Sequence, residues 1–138
     1  QFKVEVLVNN AAVVCPGIDL GLYTADKIHN MINVNLTAPI LLTYYLLPQL
    51  KNIININSMV GLEVKPFRTM YSATKWGLRG FAQSLKAENK NINILDVYPT
   101  NIKTTPDKQN AMEVDYVVDS TYNSFINKEK TLILDGRK

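Results

Sequence analysis

Four short runs of β-branched and aliphatic residues, separated by longer stretches with helical spacing, constrain this chain more than any other feature. Val4 to Val8 in KVEVLV, Ile53 to Asn57 (IININ), Ile92 to Val97 (INILDV) and the closing TLILDG read as strands. Runs of this kind, instead of apolar and polar residues in alternation, belong to strands covered on both faces. From Thr24, a helix N-cap residue type, the stretch TADKIHNMINVNLTAPILLTYYLLPQL puts Ile28, Met31, Ile32 and Asn35 on neighbouring faces of one long helix or two abutting ones. Met70 to about Glu88 predicts the next helix, with Trp76, Leu78, Phe81 and Leu85 as its apolar stripe, and Val114 to Ile126 a third. Strand and helix in strict alternation predict a single α/β domain over residues 1–138, built on a mostly parallel sheet. Ligands of such sheets bind beyond the carboxyl ends of the strands. Three of those ends carry Asn9-Asn10-Ala11-Ala12, Asn57-Ser58 and Tyr98-Pro99-Thr100.

Composition narrows the partners. The net charge is +3, but the fifteen Lys and Arg residues are scattered without a five-residue basic run, which argues against nucleic acid. One cysteine, Cys15, excludes an internal disulfide and suits a reducing cytoplasm. No uninterrupted apolar run approaches the ~18 residues of a membrane span, and the N-terminus has no signal-peptide layout. The expectation is a cytoplasmic protein that does not use a membrane. The carboxylates Asp19, Asp26, Glu63, Glu88 and Asp96 show no spacing for paired acid–base or metal work, so no metal site is assigned, and His29 reads as a solvated surface residue.

Tyr71 and Lys75 stand four apart in MYSATKWG, which on a helix puts their Cβ atoms roughly 5–6 Å apart on one face. A lysine ammonium at that range is expected to lower the tyrosine pKa from about 10 and make it a general acid or base. Ser58, thirteen residues earlier at a strand end, can offer a hydroxyl to a substrate oxygen where charge develops. Such spacing also occurs by chance between surface residues, and alone it does not decide between the two.

VLVNNAA, NVNL, Ser58, YSATK and VYPTNIKT, in this order and approximate spacing, resemble the ordered motifs of the short-chain dehydrogenase/reductase family over about Val6 to Thr104. The resemblance implies a Rossmann-like doubly wound parallel sheet and an NAD(P)-dependent oxidoreductase that interconverts an alcohol and a carbonyl by hydride transfer. It implies that Tyr71 exchanges the proton, Lys75 holds the cofactor ribose and Ser58 orients the substrate oxygen. Asn35 matches the family's further catalytic asparagine, which serves a proton relay through a bound water. Residues expected at the cofactor are Asn9, Ala11, Ala12, Tyr71, Lys75, Pro99, Thr100, Ile102 and Thr104. Ala12 and Thr100 depart from the family, which usually has glycine at both positions. The resemblance further implies a homo-oligomer, dimer or tetramer, paired through the helices around Leu36–Leu47 and Trp76–Leu85.

Pro39 has no N–H, so in a continuous helix the Asn35 carbonyl loses its donor; the alternative is a new helix that begins near Thr37 with proline in its first turn. No glycine-rich turn of the GxxxGxG kind is present, nor is the segment that selects NAD over NADP. A sheet that starts at Val4 also leaves a hydrophobic parallel edge open. The expectation is that the N-terminal half of the fold, about 70–90 residues, is missing from this sequence. The reading from a different class is a non-catalytic remnant or interaction module that keeps the fold without the cofactor. The substrate, a small-molecule alcohol or carbonyl, is not readable.

Overall fold

The computed structural model describes residues 3–137. Its parallel sheet has the order β1 (Val6–Asn9), β2 (Asn52–Ile56), β3 (Asn93–Pro99), β4 (Thr131–Leu134). The helices are α1 (Ala25–Ile32), α2 (Ala38–Leu46), α3 (Thr69–Glu88) and α4 (Val114–Ile126). The expected strands and helices are present, with ends displaced by a residue or two where capping rather than hydrophobicity sets the boundary. Thr24 caps α1 as expected, its Oγ1 accepting from Lys27 N at 3.3 Å.

The two central strands are covered on both faces, which explains their unbroken apolar runs. Ile53 and Ile94 meet Ala82 and Leu85 of α3 on one face. Ile54, Leu95 and Val97 meet Val117 of α4 on the other, with Leu134 of β4. The arrangement is the expected doubly wound α/β sheet. β1 is an edge of the described sheet, and its Val6 and Val8 are exposed. The stripe expected on α3 is corrected at Trp76: Leu78 and Leu85 are buried, whereas the indole lies at the surface with the Arg79 guanidinium 5.3 Å from its centre.

The alternatives for Pro39 combine. The rod runs on from α1 into α2 through one wide π turn, Asn33–Thr37, in which the Ala38 N–H donates to the Asn33 carbonyl. Pro39 is the second residue of α2 and gives the Asn35 carbonyl no donor four residues on. The whole rod, Ala25–Gln49, is long and apolar enough by length and composition to cross a membrane. Asn33, Asn35, Thr37 and Thr43 interrupt its apolar residues, so no uninterrupted run marks it in the sequence. Met31, Asn35 and Thr43 form the buried stripe of this rod, where Asn35 is bonded to α3, and the rest of its surface is largely uncovered.

On the α3 face, hydrogen bonds pass sideways through the sheet. Asn9 Nδ2 donates to Asn55 Oδ1 at 2.8 Å, Asn55 Nδ2 donates to Asp96 Oδ1 at 2.8 Å, and Lys86 Nζ of α3 donates to Asp96 Oδ2 at 2.6 Å. Asn9, Asn55 and Asp96 are direct register partners, and Asp96 is 1% exposed. Removing one partner of a buried pair leaves the other charge uncompensated, which typically costs 3–5 kcal/mol. Lys86 retains some exposure, so Asp96→Ala is expected to cost about 2–4 kcal/mol in urea unfolding. A loss below about 1 kcal/mol would mean that the ladder is incidental to stability.

Candidate active site

Beyond Ile56 the chain leaves β2 and turns at once. Ser58 caps a short 3₁₀ turn over Met59–Gly61, its Oγ accepting from Val60 N at 3.4 Å. Gly61 is needed for close approach: a Cβ there would lie 2.8 Å from Asn57 Oδ1 and 3.2 Å from the Lys75 carbonyl. Buried Asn57 accepts from Ser58 N at 2.9 Å and donates Nδ2 to the Lys75 carbonyl at 3.2 Å. One amide therefore ties the serine-bearing strand end to the helical turn that carries Lys75.

Three of the expected residues meet there. Ser58 and Tyr71 line the same cleft, and the Ser58 side chain favours the ionised form of the Tyr71 hydroxyl. Lys75 Nζ lies 5.6 Å from the centre of the Tyr71 ring and donates to the Ile56 carbonyl at 3.0 Å. A cleft of about 480 Å³ opens over them beyond the carboxyl ends of the strands, bounded by Ala12 on one side and by Pro99, Thr100, Ile102 and Thr104 on the other. Thr100 also serves the framework, its Oγ1 accepting from Gly136 N at 2.9 Å.

Asn9, Ala11 and Asn35 do not line the cleft. The Asn9 amide is spent on the sheet ladder. Asn35, 1% exposed, accepts from Val13 N at 2.7 Å and donates to the Val13 carbonyl at 2.9 Å and to Thr74 Oγ1 at 3.3 Å. Thr74 in turn donates to the Tyr71 carbonyl at 2.8 Å. Asn35 thus joins the segment after β1 to the turn of α3 between Tyr71 and Lys75.

Burial dominates the electrostatics. It brings the Lys75 ammonium down to about 8, because a charge withdrawn from water is disfavoured. The Tyr71 hydroxyl is raised above the ordinary tyrosine value, first by burial, with the Ser58 hydrogen bond and the Arg68 charge acting in the opposite sense. The spacing of Tyr71 and Lys75 led to the expectation of a lowered value. In this structure the ammonium turns to the Ile56 carbonyl, and loss of water around the phenolate outweighs the attraction. Tyr71 is consequently a protonated phenol at neutral pH, with a proton to give.

The residues around the cleft suit the ribose and nicotinamide end of a dinucleotide. Lys75 presents a cationic head that no carboxylate pairs among the described residues, and a buried ammonium of this kind is satisfied by ligand hydroxyl groups. A glycine-rich pyrophosphate turn has no counterpart in these residues. Among the described residues no group of three or more His, Cys, Asp or Glu could hold a metal ion. The strand-end position of Asn57 pointed to the cleft, whereas composition and spacing gave no signal for Thr74 and Arg68. The clustering of asparagine within a strand, in IININ, was the one available hint that polar residues there bond to one another.

The model of the short chain dehydrogenase family matches residues 2–114. Nodulation protein G of Rhizobium sp. (strain N33) is 36% identical over 123 residues, 83% of this chain and 50% of that protein. The ketoacyl reductase HetN of Nostoc sp. is 32% identical over 109 residues, 74% of this chain and 38% of that one. The chain therefore spans about half the length, or less, of these curated relatives. The bulky-bulky ketone specific alcohol dehydrogenase from Comamonas testosteroni superposes with a TM-score of 0.86 at 28% identity, covering 94% of this chain and 54% of that one. A short-chain dehydrogenase from Sphingobium yanoikuyae in complex with NADPH superposes at 0.83 with 28% identity, covering 94% and 57%. With four parallel strands, a cleft over Ser58, Tyr71 and Lys75, and a family match across most of its length, the chain belongs to the short-chain dehydrogenase family.

Proposed function

We propose that the protein is an NAD(P)-dependent oxidoreductase that interconverts an alcohol and a carbonyl, with Tyr71 as the general acid and base. The observation that carries this reading is that Ser58, Tyr71 and Lys75 line one cleft, with the Lys75 ammonium 5.6 Å from the centre of the Tyr71 ring. The similarity to a ketone-specific alcohol dehydrogenase and to a short-chain dehydrogenase bound to NADPH supports it.

In this reading Ser58 donates a hydrogen bond to the substrate carbonyl oxygen and fixes its position beside Tyr71. When bound, the nicotinamide dinucleotide supplies the hydride for the carbonyl carbon. Negative charge then gathers on the oxygen, and the Tyr71 hydroxyl hands over its proton as that charge grows. Lys75, still mostly protonated at pH 7, lies close enough to offset the phenolate that remains. Lys75 would hold the ribose, with Ala12 toward the adenosine side, Pro99, Thr100, Ile102 and Thr104 around the nicotinamide and phosphates, and Asn35 positioning the α3 turn that carries the pair. In the reverse direction Tyr71 takes the proton from the alcohol.

Homo-oligomerisation belongs to the same proposal. Leu41, Leu42, Tyr44 and Tyr45 of α2 and Trp76 of α3 are exposed, an unusual load of apolar surface for two helices. The unpaired Cys15 agrees with a reducing compartment such as the cytoplasm.

Two measurements follow. Tyr71→Phe keeps the ring and removes the proton donor, so kcat should fall by about 10²–10⁴-fold while dinucleotide affinity stays nearly constant. Lys75→Met should lower both. A Tyr71→Phe enzyme with more than half the wild-type kcat would place the chemistry elsewhere and favour the non-catalytic reading of this site. Light scattering at micromolar concentration should give a dimer or tetramer, and a monomer would remove the helix pairing.

A further inference from the structure

The cleft above Tyr71 is lined by Lys65, Arg68, Lys75, Lys108 and Arg137 against a single carboxylate, Glu63. Glu63 is already engaged, accepting from Arg137 Nη1 at 2.7 Å, and Arg137 also pairs with Asp135. The remaining charge is therefore uncompensated and positive. Arg68 differs from the two lysines at the mouth because it is half-buried and sits in the residue that opens α3, three positions before Tyr71. Its Nη1 donates to the Cys15 carbonyl at 2.6 Å, and its Nε lies 3.8 Å from where a Cβ on Gly17 would be, so the guanidinium is held between α3 and the loop after β1. One carbonyl uses one of five donors, and no carboxylate among the described residues pairs with it. A guanidinium partly withdrawn from water without an anion is unfavourable, and its planar fork matches the two oxygens of a carboxylate.

We propose that Arg68 is a specificity-determining residue that receives a substrate carboxylate, so that the carbonyl substrates of this site are short oxo acids and the products hydroxy acids. The proposal rests on the reading of Tyr71 as proton donor. In the step it describes, NAD(P)H gives a hydride to the oxo carbon, Tyr71 gives a proton to the oxygen, and the carboxylate stays ionised on Arg68 throughout. Arg68 and Tyr71 line the same cleft, so an anion on the guanidinium and a carbonyl at the tyrosine share one space. Lys65 and Lys108 add a field that draws an anion into the cleft.

The test compares 3-oxobutanoate and 4-oxopentanoate with their methyl esters, in the wild-type protein, Arg68→Gln and Arg68→Lys. A hydrogen bond to a charged group corresponds to about 10- to 100-fold in binding. The wild type should favour the better acid over its ester by that factor in kcat/KM, and Arg68→Gln should bring the ratio within about threefold of unity, whatever it does to both rates. Arg68→Lys, which keeps the charge without the fork, should lie between. Calorimetric affinity for the corresponding hydroxy acid should fall in the same proportion in Arg68→Gln, independently of turnover. An ester used as well as its acid by the wild type, or a ratio unchanged in Arg68→Gln, would leave Arg68 as a strut for the Cys15 loop and overturn the proposal. Failure of the acids to bind would overturn it too. Arg68-dependent binding without turnover, or with turnover that survives Tyr71→Phe, would uphold the anion site and defeat the reaction assigned to it.

Discussion

A row of buried amides and one carboxylate, Asn9 to Asn55 to Asp96, anchored on α3 by Lys86, sets the register on which the rest of this structure depends. Parallel strands with near-continuous apolar runs can slide, because a shift of one residue replaces one aliphatic side chain by another. It cannot do so here without leaving two amides and a carboxylate buried and unpaired, at a cost of roughly 1–3 kcal/mol for each polar group. Since these three residues are level, so are the ends that follow them: Asn10 to Ala12 after β1, Asn57-Ser58 after β2, and Pro99-Thr100 at the end of β3. The cleft is the consequence of that alignment.

The same packing sets the protonation states in the cleft. Asn57 and Gly61 bring the Ser58 turn hard against α3, and this closeness removes water from both Tyr71 and Lys75. Burial drives the hydroxyl up and the ammonium down, and so pushes the two values apart. Two groups in one cleft whose values burial pushes apart mark a candidate functional site.

How much of this was legible from sequence depended on distance along the chain. Tyr71 and Lys75 are a local pair on one helix, so their place side by side in the cleft was readable. The sheet was readable from the apolar runs of Ile53 to Ile56 and Ile92 to Val97. Asp96, by contrast, gave no signal, because its partners lie 41 residues before it on β2 and 10 before it on α3. Asn35 lies behind the cleft wall, and its bonds to Val13 and Thr74 were not legible because they exist only once the rod and α3 are packed. Lysines scattered in sequence gather in space: Lys51, Lys86, Lys90, Lys128 and Lys130 line one depression at the amino ends of the strands, where Lys51 pairs with Glu5 and Lys86 with Asp96. The π turn is likewise a product of Pro39 and of tertiary packing on a rod that propensity alone would have made an ordinary helix.

The central claim is that this cleft brings a carbonyl carbon to a hydride source while Tyr71 supplies the proton. The most direct measurement follows the two hydrogens. The purified protein is given a ketone or an oxo acid in ordinary water, together with NADH or NADPH carrying deuterium on the transferable face of the nicotinamide ring. The account predicts an alcohol with one deuterium on its carbinol carbon and a hydroxyl hydrogen drawn from water through Tyr71. Product alcohol without deuterium on carbon, or no alcohol with any such pair, would contradict it.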